Sequence, residues 1–311
     1  MVNSLSIIIV NYKTWDKLKL CLDSISKQDG IRILTIVVDN NSDDNKLDSF
    51  KNKYKWVKWI ENSKNFGFAK ACNIGANYCK SKWYLFLNPD TILVENSLES
   101  LIFYCNNNIQ HKIIGIKQIN EKSIPINSFG IFLNFWSLSG LIRPIIRLLK
   151  NSSYKKMNSR LISHPDWITG SFVLIRKNDF YLINGWNENY WMYYEDMDIC
   201  RRAKNNNLKV ALLNNWNCTH FHGASSRKNN TIKIITKSEV IISSHIYIEE
   251  HANPKMTLLI HLSLIIIQLI DLLLGSPFSS NKRAILLNSI TYWKKGIFKS
   301  NWCSERAVSN Y

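Results

Sequence analysis

Short apolar runs recur along the first hundred residues, and each stops at a polar tip. Leu5–Val10 ends at Asn11-Tyr12, Ile33–Val38 at Asp39, and Trp83–Leu87 at Asn88-Pro89-Asp90. Runs of this length suit fully buried strands and are too short for buried helices. Proline gives no N–H to a ladder, so the third run must end at Asn88. Trp56–Ile60 alternates as a further strand. Between these runs the apolar spacing is helical. Thr14 is placed to cap a helix that carries Leu18, Cys21, Leu22 and Ile25, and Phe50 belongs to a second helix. Asn65-Phe66-Gly67-Phe68 opens a third, rich in small residues (Ala69, Ala71, Gly75, Ala76). A helix near Ser97–Tyr104 and a strand near Ile113–Ile119 follow. Alternating strands and helices imply crossovers, hence an α/β fold with a mostly parallel, Rossmann-like sheet flanked by helices. Residues 1–110 read as a nucleotide-binding half, and three polar tips at successive strand ends point to one shared site.

From residue 120 the pattern changes. Ile131–Lys150 is apolar and aromatic, with Arg143, Arg147 and Lys150 on one helical face and Pro144 as the expected helix start. It suits a membrane interface or an ordinary core helix equally. Trp167–Ile175 returns to strand character, with Gly170 allowing close approach. Acids at 195, 196 and 198 lead a helix that continues through Ile199–Lys204 to basic residues, as a helix dipole prefers. Lys209–Leu213 is a strand, and His220-Phe221-His222 closes the region. Thr231–Glu250 is helical and mixed. Leu258–Leu274 is almost wholly apolar, with His261, Gln268 and Asp271 as a narrow polar stripe. Such a helix can lie in a membrane interface, pack on protein, or span at the lower length limit. The expected division is 1–226, with halves 1–110 and 111–226, and a C-terminal helical, membrane-associating extension at 227–311.

Charge adds a partner class. The net charge is +17, and residues 111–165 hold nine Lys or Arg against one acid, Glu121. Residues 223–311 hold eleven against five. An anionic membrane, a phosphorylated lipid or a nucleic acid would each answer that excess. No RNA- or DNA-binding signature accompanies it, and the bases cluster beside apolar segments. The seven cysteines include no CxxC pair, so neither zinc nor a disulfide framework is suggested, and a reducing cytosol fits. The first residues show no basic-then-apolar leader. GxGxxG and GK[ST] are absent, which excludes those two phosphate-binding fingerprints.

The chemistry-bearing residues suit a divalent cation on a phosphorylated donor. Asp90 and His220 are the candidate ligands for Mg2+ or Mn2+, which would offset charge gathering on a departing diphosphate. One carboxylate of the 195–198 cluster can serve as a general base toward an acceptor hydroxyl.

In order along the chain, SIIIVNYKTWDKL, VVDNNSDD, ENSKNFGFAKACNIG, YLFLNPDT, DWITGSFVLIRK, GWNENYWMYYEDMDICRRAK and HFHGAS resemble family 2 glycosyltransferases, in particular the bacterial rhamnosyltransferase-like group of surface polysaccharide synthesis. The resemblance covers residues 4–226. It implies a GT-A fold, a dTDP- or UDP-sugar donor, a divalent metal and inversion at the sugar. It implies that Asn11 and Tyr12 line the nucleotide, that Asp39 reads the base, and that Asn65, Gly67 and Asn73 lie along the ribose and diphosphate. Asn88-Pro89-Asp90 stands where many relatives carry Asp-x-Asp, leaving Asp90 as the acid for metal and Asn88 as a hydrogen-bonding partner. Gly170 falls by the donor sugar. Asp196 is the expected base with Glu195 in support, and Asp198 and Trp191 are expected to bind acceptor. His220, rather than His222, completes the metal site. The implied acceptor is a glycan or a polyprenyl-diphosphate-linked sugar at the cytoplasmic face of the membrane, with a homodimer possible. A nucleotidyltransferase uses a similar sheet, but the acidic helix start and later histidine fit sugar transfer better. Two competing classes are a basic nucleic-acid-binding protein and a catalytically inactive, membrane-bound scaffold.

Overall fold

The computed structural model describes residues 4–132, 135–138, 142–221 and 230–308. The strands are β1 (Ser4–Asn11), β2 (Arg32–Asp39), β3 (Lys58–Glu61), β4 (Trp83–Leu87), β5 (Thr91–Leu93), β6 (His111–Ile119), β7 (Pro125–Ile126), β8 (Phe129–Gly130), β9 (Ile162–Ser163), β10 (Trp167–Ile168), β11 (Phe172–Arg176) and β12 (Lys209–His220). The helices are α1 (Trp15–Ile25), α2 (Leu47–Lys53), α3 (Phe68–Ala76), α4 (Ser97–Asn107), α5 (Ile142–Leu149), α6 (Asn151–Ser159), α7 (Lys177–Leu182), α8 (Glu195–Asn205), α9 (Asn230–His251), α10 (Thr257–Gly275), α11 (Ser280–Lys299) and α12 (Glu305–Val308).

The main sheet runs β3-β2-β1-β4-β11-β6-β12-β5. The β3-β2-β1-β4 portion is parallel, as is β6 with β12, while β11 runs antiparallel to both β4 and β6. The expected mixed architecture, mostly parallel and flanked by helices, is therefore present. Side-chain alternation sends Leu5, Ile7 and Ile9 to one face, where they meet Leu18, Cys21 and Leu22 of α1 and Leu98, Leu101 and Ile102 of α4. On the other face α3 approaches closely. A Cβ at Gly75 would sit 2.5 Å from Ile8 Cγ2 and 3.1 Å from Val38 Cγ2, so the small residues of this helix set its distance from the sheet.

Several expectations need correction. Thr14 precedes α1 but makes no side-chain cap; its hydroxyl donates to Asn11 Oδ1 (2.8 Å) instead. The 167–175 stretch is two strands, β10 and β11, separated by Thr169-Gly170-Ser171. Helix α5 starts at Ile142, two residues before Pro144, which the first turn tolerates because its N–H groups have no intrahelical acceptor. The side chains of Arg143 and Arg147 lie outside the described residues, as does His222 with the rest of the segment after Phe221.

The chain divides into two compact units. The first holds 1–131, 157–187 and 195–225; the second holds 132–156, 188–194 and 226–311. Two inner segments thus group with the C-terminal helices, which a single boundary at 226 does not capture. In the second unit α9, α10 and α11 pack on one another. His261 and Gln268 of α10 are buried there rather than forming a water-facing stripe, and Asp271 pairs with Lys282 at 3.3 Å.

Candidate active site

The polar tips converge at the carboxyl ends of the parallel strands. Asn11 stands opposite Asp39 in the β1–β2 register. Asn11 Nδ2 donates to Asp39 Oδ1 (2.9 Å), Ser42 Oγ donates to the same oxygen (2.6 Å), and Ser42 N donates to Oδ2 (2.9 Å). Asn40 ties this corner to the start of α3: its Nδ2 donates to Asn65 Oδ1 (2.8 Å) and Gly67 O (3.0 Å), and its Oδ1 accepts from Phe66 N (3.1 Å) and Asn62 Nδ2 (3.0 Å). Gly67 has φ +83°, a conformation that disfavours any Cβ, and Asn65 Oδ1 accepts from its N–H (3.0 Å). Tyr12 is half-buried beside Lys13, whose ammonium lies 5.6 Å from the ring centre.

Asn73 takes another part. Its amide Nδ2 donates to Trp186 O (2.8 Å) and its Oδ1 accepts from Trp186 N (3.0 Å). Both ends of the amide clamp the 185–187 turn onto α3.

Asp90 follows β4 and is 5 % exposed. Its Oδ1 lies 3.2 Å from His220 Nε2, because β5 pairs antiparallel with β12 and sets Thr91 opposite His220. His220 Nδ1 is 2.9 Å from Gln118 Oε1, and Gln118 Nε2 donates to Thr169 Oγ1 (3.0 Å) and Ser171 Oγ (2.7 Å). With the amide held that way round, Gln118 presents an acceptor and Nδ1 carries the ring proton. Nε2 then faces Asp90 Oδ1, a buried oxygen with no hydrogen-bond donor among the described residues. Two electron-rich atoms facing each other at this distance call for a proton or a cation between them. Adjacent ligands of an octahedral Mg2+ ion stand ~3 Å apart, so the pair fits a divalent cation. Among the described residues no group of three His, Cys, Asp or Glu forms a metal cluster, and Asp90 and His220 are the two side chains here that would hold such an ion. Gln118, Thr169 and Ser171 were not singled out from the sequence. The available signal was a buried amide on the same face as Ile114 and Ile116, in a strand that also carries His111, Lys112 and Lys117.

The acidic helix start joins the same rim. Asp196 Oδ2 accepts from Gly170 N (3.3 Å) and Oδ1 from Met197 N (2.8 Å). Gly170 sits between the two hydroxyl residues that hold Gln118, and Asn88 N donates to Ser171 O (3.0 Å). Asp196, Gly170, Asn88, Gln118, His220 and Asp90 therefore form one continuous constellation. A Cβ on Gly170 would meet Phe68 at 3.5 Å and Asp196 Cβ at 3.7 Å, ordinary contact distances. Its lack of a side chain thus leaves a small hollow beside Asp196.

The three acids of α8 differ in environment. Glu195 is buried, and its Oε2 has no partner among the described residues. Burial, then the charges of Asp196 and Asp198, pushes its carboxyl up to about 8, so it is mostly protonated at neutral pH. Asp198 is 0 % exposed and bound by Arg202 (Nε to Oδ2 2.8 Å, Nη2 to Oδ2 2.6 Å). The two residues form a buried ion pair one turn apart within α8. Trp191 belongs to the second unit, buried with the Arg306 guanidinium 5.9 Å from its ring centre.

Residues 6–179 match the glycosyl transferase family 2 domain. The chain belongs to glycosyl transferase family 2. Residues 153–223 also match a domain described as the N-terminal domain of galactosyltransferase. Rhamnosyltransferase WbbL of Escherichia coli is 26 % identical over 222 residues, covering 69 % of this chain and 82 % of that protein. The low-salt glycan biosynthesis hexosyltransferase Agl10 of Haloferax volcanii is 27 % identical over 68 % of this chain and 64 % of its own length. The N-acetylglucosaminyl-diphospho-decaprenol L-rhamnosyltransferase of Mycobacterium tuberculosis is 22 % identical, covering 64 % of this chain and 70 % of that protein. In fold the chain resembles S. aureus TarS 1-349 in complex with UDP-GlcNAc (TM-score 0.55, 15 % identity, 98 % of this chain, 82 % of that one). It also resembles GalNAc-T7 with UDP, GalNAc and Mn2+ (TM-score 0.54, 15 % identity, 70 % of this chain, 44 % of that one). This glycosyltransferase has rhamnosyltransferase-like relatives in polysaccharide synthesis and the GT-A arrangement of sheet and helices.

Proposed function

We propose that this family 2 glycosyltransferase moves a hexosyl unit, rhamnose being the leading candidate, from a dTDP- or UDP-linked donor to a lipid-diphosphate-linked acceptor, with inversion. The observation that carries the reading is the joined rim: an orphaned Asp90 oxygen beside His220, connected through Gln118 and Gly170 to the carboxylate of Asp196.

In this reading the Asn11–Asp39–Asn40 corner and the Gly67 turn take the nucleoside, and the hollow at Gly170 takes the sugar. Asp90 and His220 would hold Mn2+ or Mg2+, which supplies positive charge to the departing diphosphate. Asp196 accepts the acceptor hydroxyl's proton. The hydroxyl oxygen then bonds to the anomeric carbon from one face while the bond to the diphosphate breaks on the other, releasing nucleoside diphosphate. Protonated Glu195 keeps a second negative charge away from the base. The net charge of +17 and the relative named for a decaprenol-diphosphate acceptor support an acceptor carried in the cytoplasmic face of the membrane. Nucleic-acid binding draws only on the charge, and membership of the family lends it nothing.

The test is a donor screen followed by one substitution. With the donor that turns over, Asp196→Asn loses transfer by roughly 10²- to 10⁴-fold while donor affinity stays. Full turnover by that variant removes Asp196 as the base.

A further inference from the structure

Helix α10 is turned inside out relative to a helix at home in water. At 100° per residue, Leu258, Leu262, Ile266, Ile270 and Leu273 fall within an arc of roughly 120°, and all are exposed, Ile266 to 58 %. The opposite arc is buried and holds the polar residues His261 and Gln268, with His261 at 1 %. No charged residue lies on the outward arc.

A buried network fixes that rotation. His245 Nε2 lies 3.2 Å from Trp293 Nε1 and 3.1 Å from Gln268 Oε1, His245 Nδ1 lies 2.8 Å from His261 Nδ1, and His261 Nε2 lies 3.1 Å from Glu249 Oε2. Gln268 Nε2 donates to Ser244 Oγ (3.0 Å), and the Trp302 indole stacks on His261 at 3.9 Å. Rolling α10 to hide its apolar arc would tear these groups from their partners inside the unit.

Charge then selects what covers the arc. The second unit holds sixteen Lys and Arg against six acids, which is most of the chain's net positive charge. Two copies meeting on this face would bring like charges together, whereas an anionic bilayer offers hydrocarbon and negative headgroups at once. Spanning is disfavoured, since α10 packs along α9 and α11, whose sequences carry Glu249, Glu250, Lys294 and Lys295. We infer that α10 lies flat in the interface of an anionic membrane, with its Leu258–Leu273 arc in the acyl layer and its histidine face against its own helical unit. The inference rests, for its purpose, on the reading of a lipid-borne acceptor.

The test is flotation of the full chain with vesicles of equal parts phosphatidylglycerol and phosphatidylcholine, without donor or acceptor. The wild type should float, and do so much less with phosphatidylcholine alone. The double variant Ile266→Asp, Ile270→Asp should bind at least tenfold more weakly with an unchanged melting temperature, whereas Phe103→Asp, an exposed apolar site in the first unit, should bind like wild type. Equal binding by the double variant overturns the proposal. So does a wild type that ignores anionic vesicles, forms a dimer broken by the same substitutions, or resists extraction at high pH as a spanning helix would. Hydrolysis of nucleotide-sugar separates the two readings: vesicle binding without any donor turnover sinks the transferase and leaves the docking face, and the reverse sinks only the face.

Discussion

Two parts of the same sheet rim are built on opposite terms. At the Asn11–Asp39–Asn40 corner the protein supplies its own partners: Asp39 accepts three donors, and Asn40 spends both ends of its amide on the turn before α3. At the Asp90–His220–Glu195 side, buried oxygens of Asp90 and Glu195 have no donor among the described residues. The first region is complete in the folded chain and presents a rigid shape. The second is incomplete and keeps its electrostatic demand for a visitor. Recognition of a nucleoside suits the one, and handling of changing charge suits the other.

That contrast can be broken from either side. The largest effect is expected at Gln118, where Gln118→Leu removes the acceptor that fixes the His220 ring. Mn2+ affinity, read by electron spin resonance, should fall about 10- to 100-fold. Gln118→Glu, which keeps an acceptor at the same place, should recover much of it. A purely structural Gln118 would lower the melting temperature in both variants without moving metal affinity. Next comes the complete corner: Gly67→Ala places a Cβ in a conformation that only glycine tolerates, for a destabilisation of ~1–3 kcal/mol by denaturant titration. A slope gives a further test. Glu195 titrates at about 8 in the fold and near its ordinary 4.5 when unfolded. Its contribution to stability is thus fully present below pH 4.5 and is lost as pH rises toward 8, by up to ~1.4 kcal/mol per unit. Glu195→Gln should flatten that decline, gaining on wild type as pH rises from 5 to 8.

Much of the fold was legible because it rests on local pattern. The Trp83–Leu87 run became β4 with the same bounds, and the small residues of 69–76 became the helix that nestles on Ile8. Strand β5 was not legible: three residues just past Asn88-Pro89-Asp90 carry no period of their own, and they pair only because β12 runs on to His220. In the site, Asp90, His220 and Asp196 announced themselves as acids and a histidine at element ends. Gln118 did not, since its meaning lies in partners 51, 53 and 102 positions away. Asp198 stands four positions before Arg202, a spacing that by itself describes the helical ion pair the structure holds. The apolar run 258–274 was visible as a helix, but the side that faces protein was decided by His245, Trp293 and Trp302, on other helices or beyond them.

If the orphaned oxygen of Asp90 is a cation's resting place, calorimetric titration of a nucleotide-sugar with and without Mn2+ will show it. Wild type should bind the donor more tightly with Mn2+, and Asp90→Ala should bind it equally weakly in both conditions. A Mn2+-dependent gain of the same size in Asp90→Ala would contradict a cation held at that oxygen.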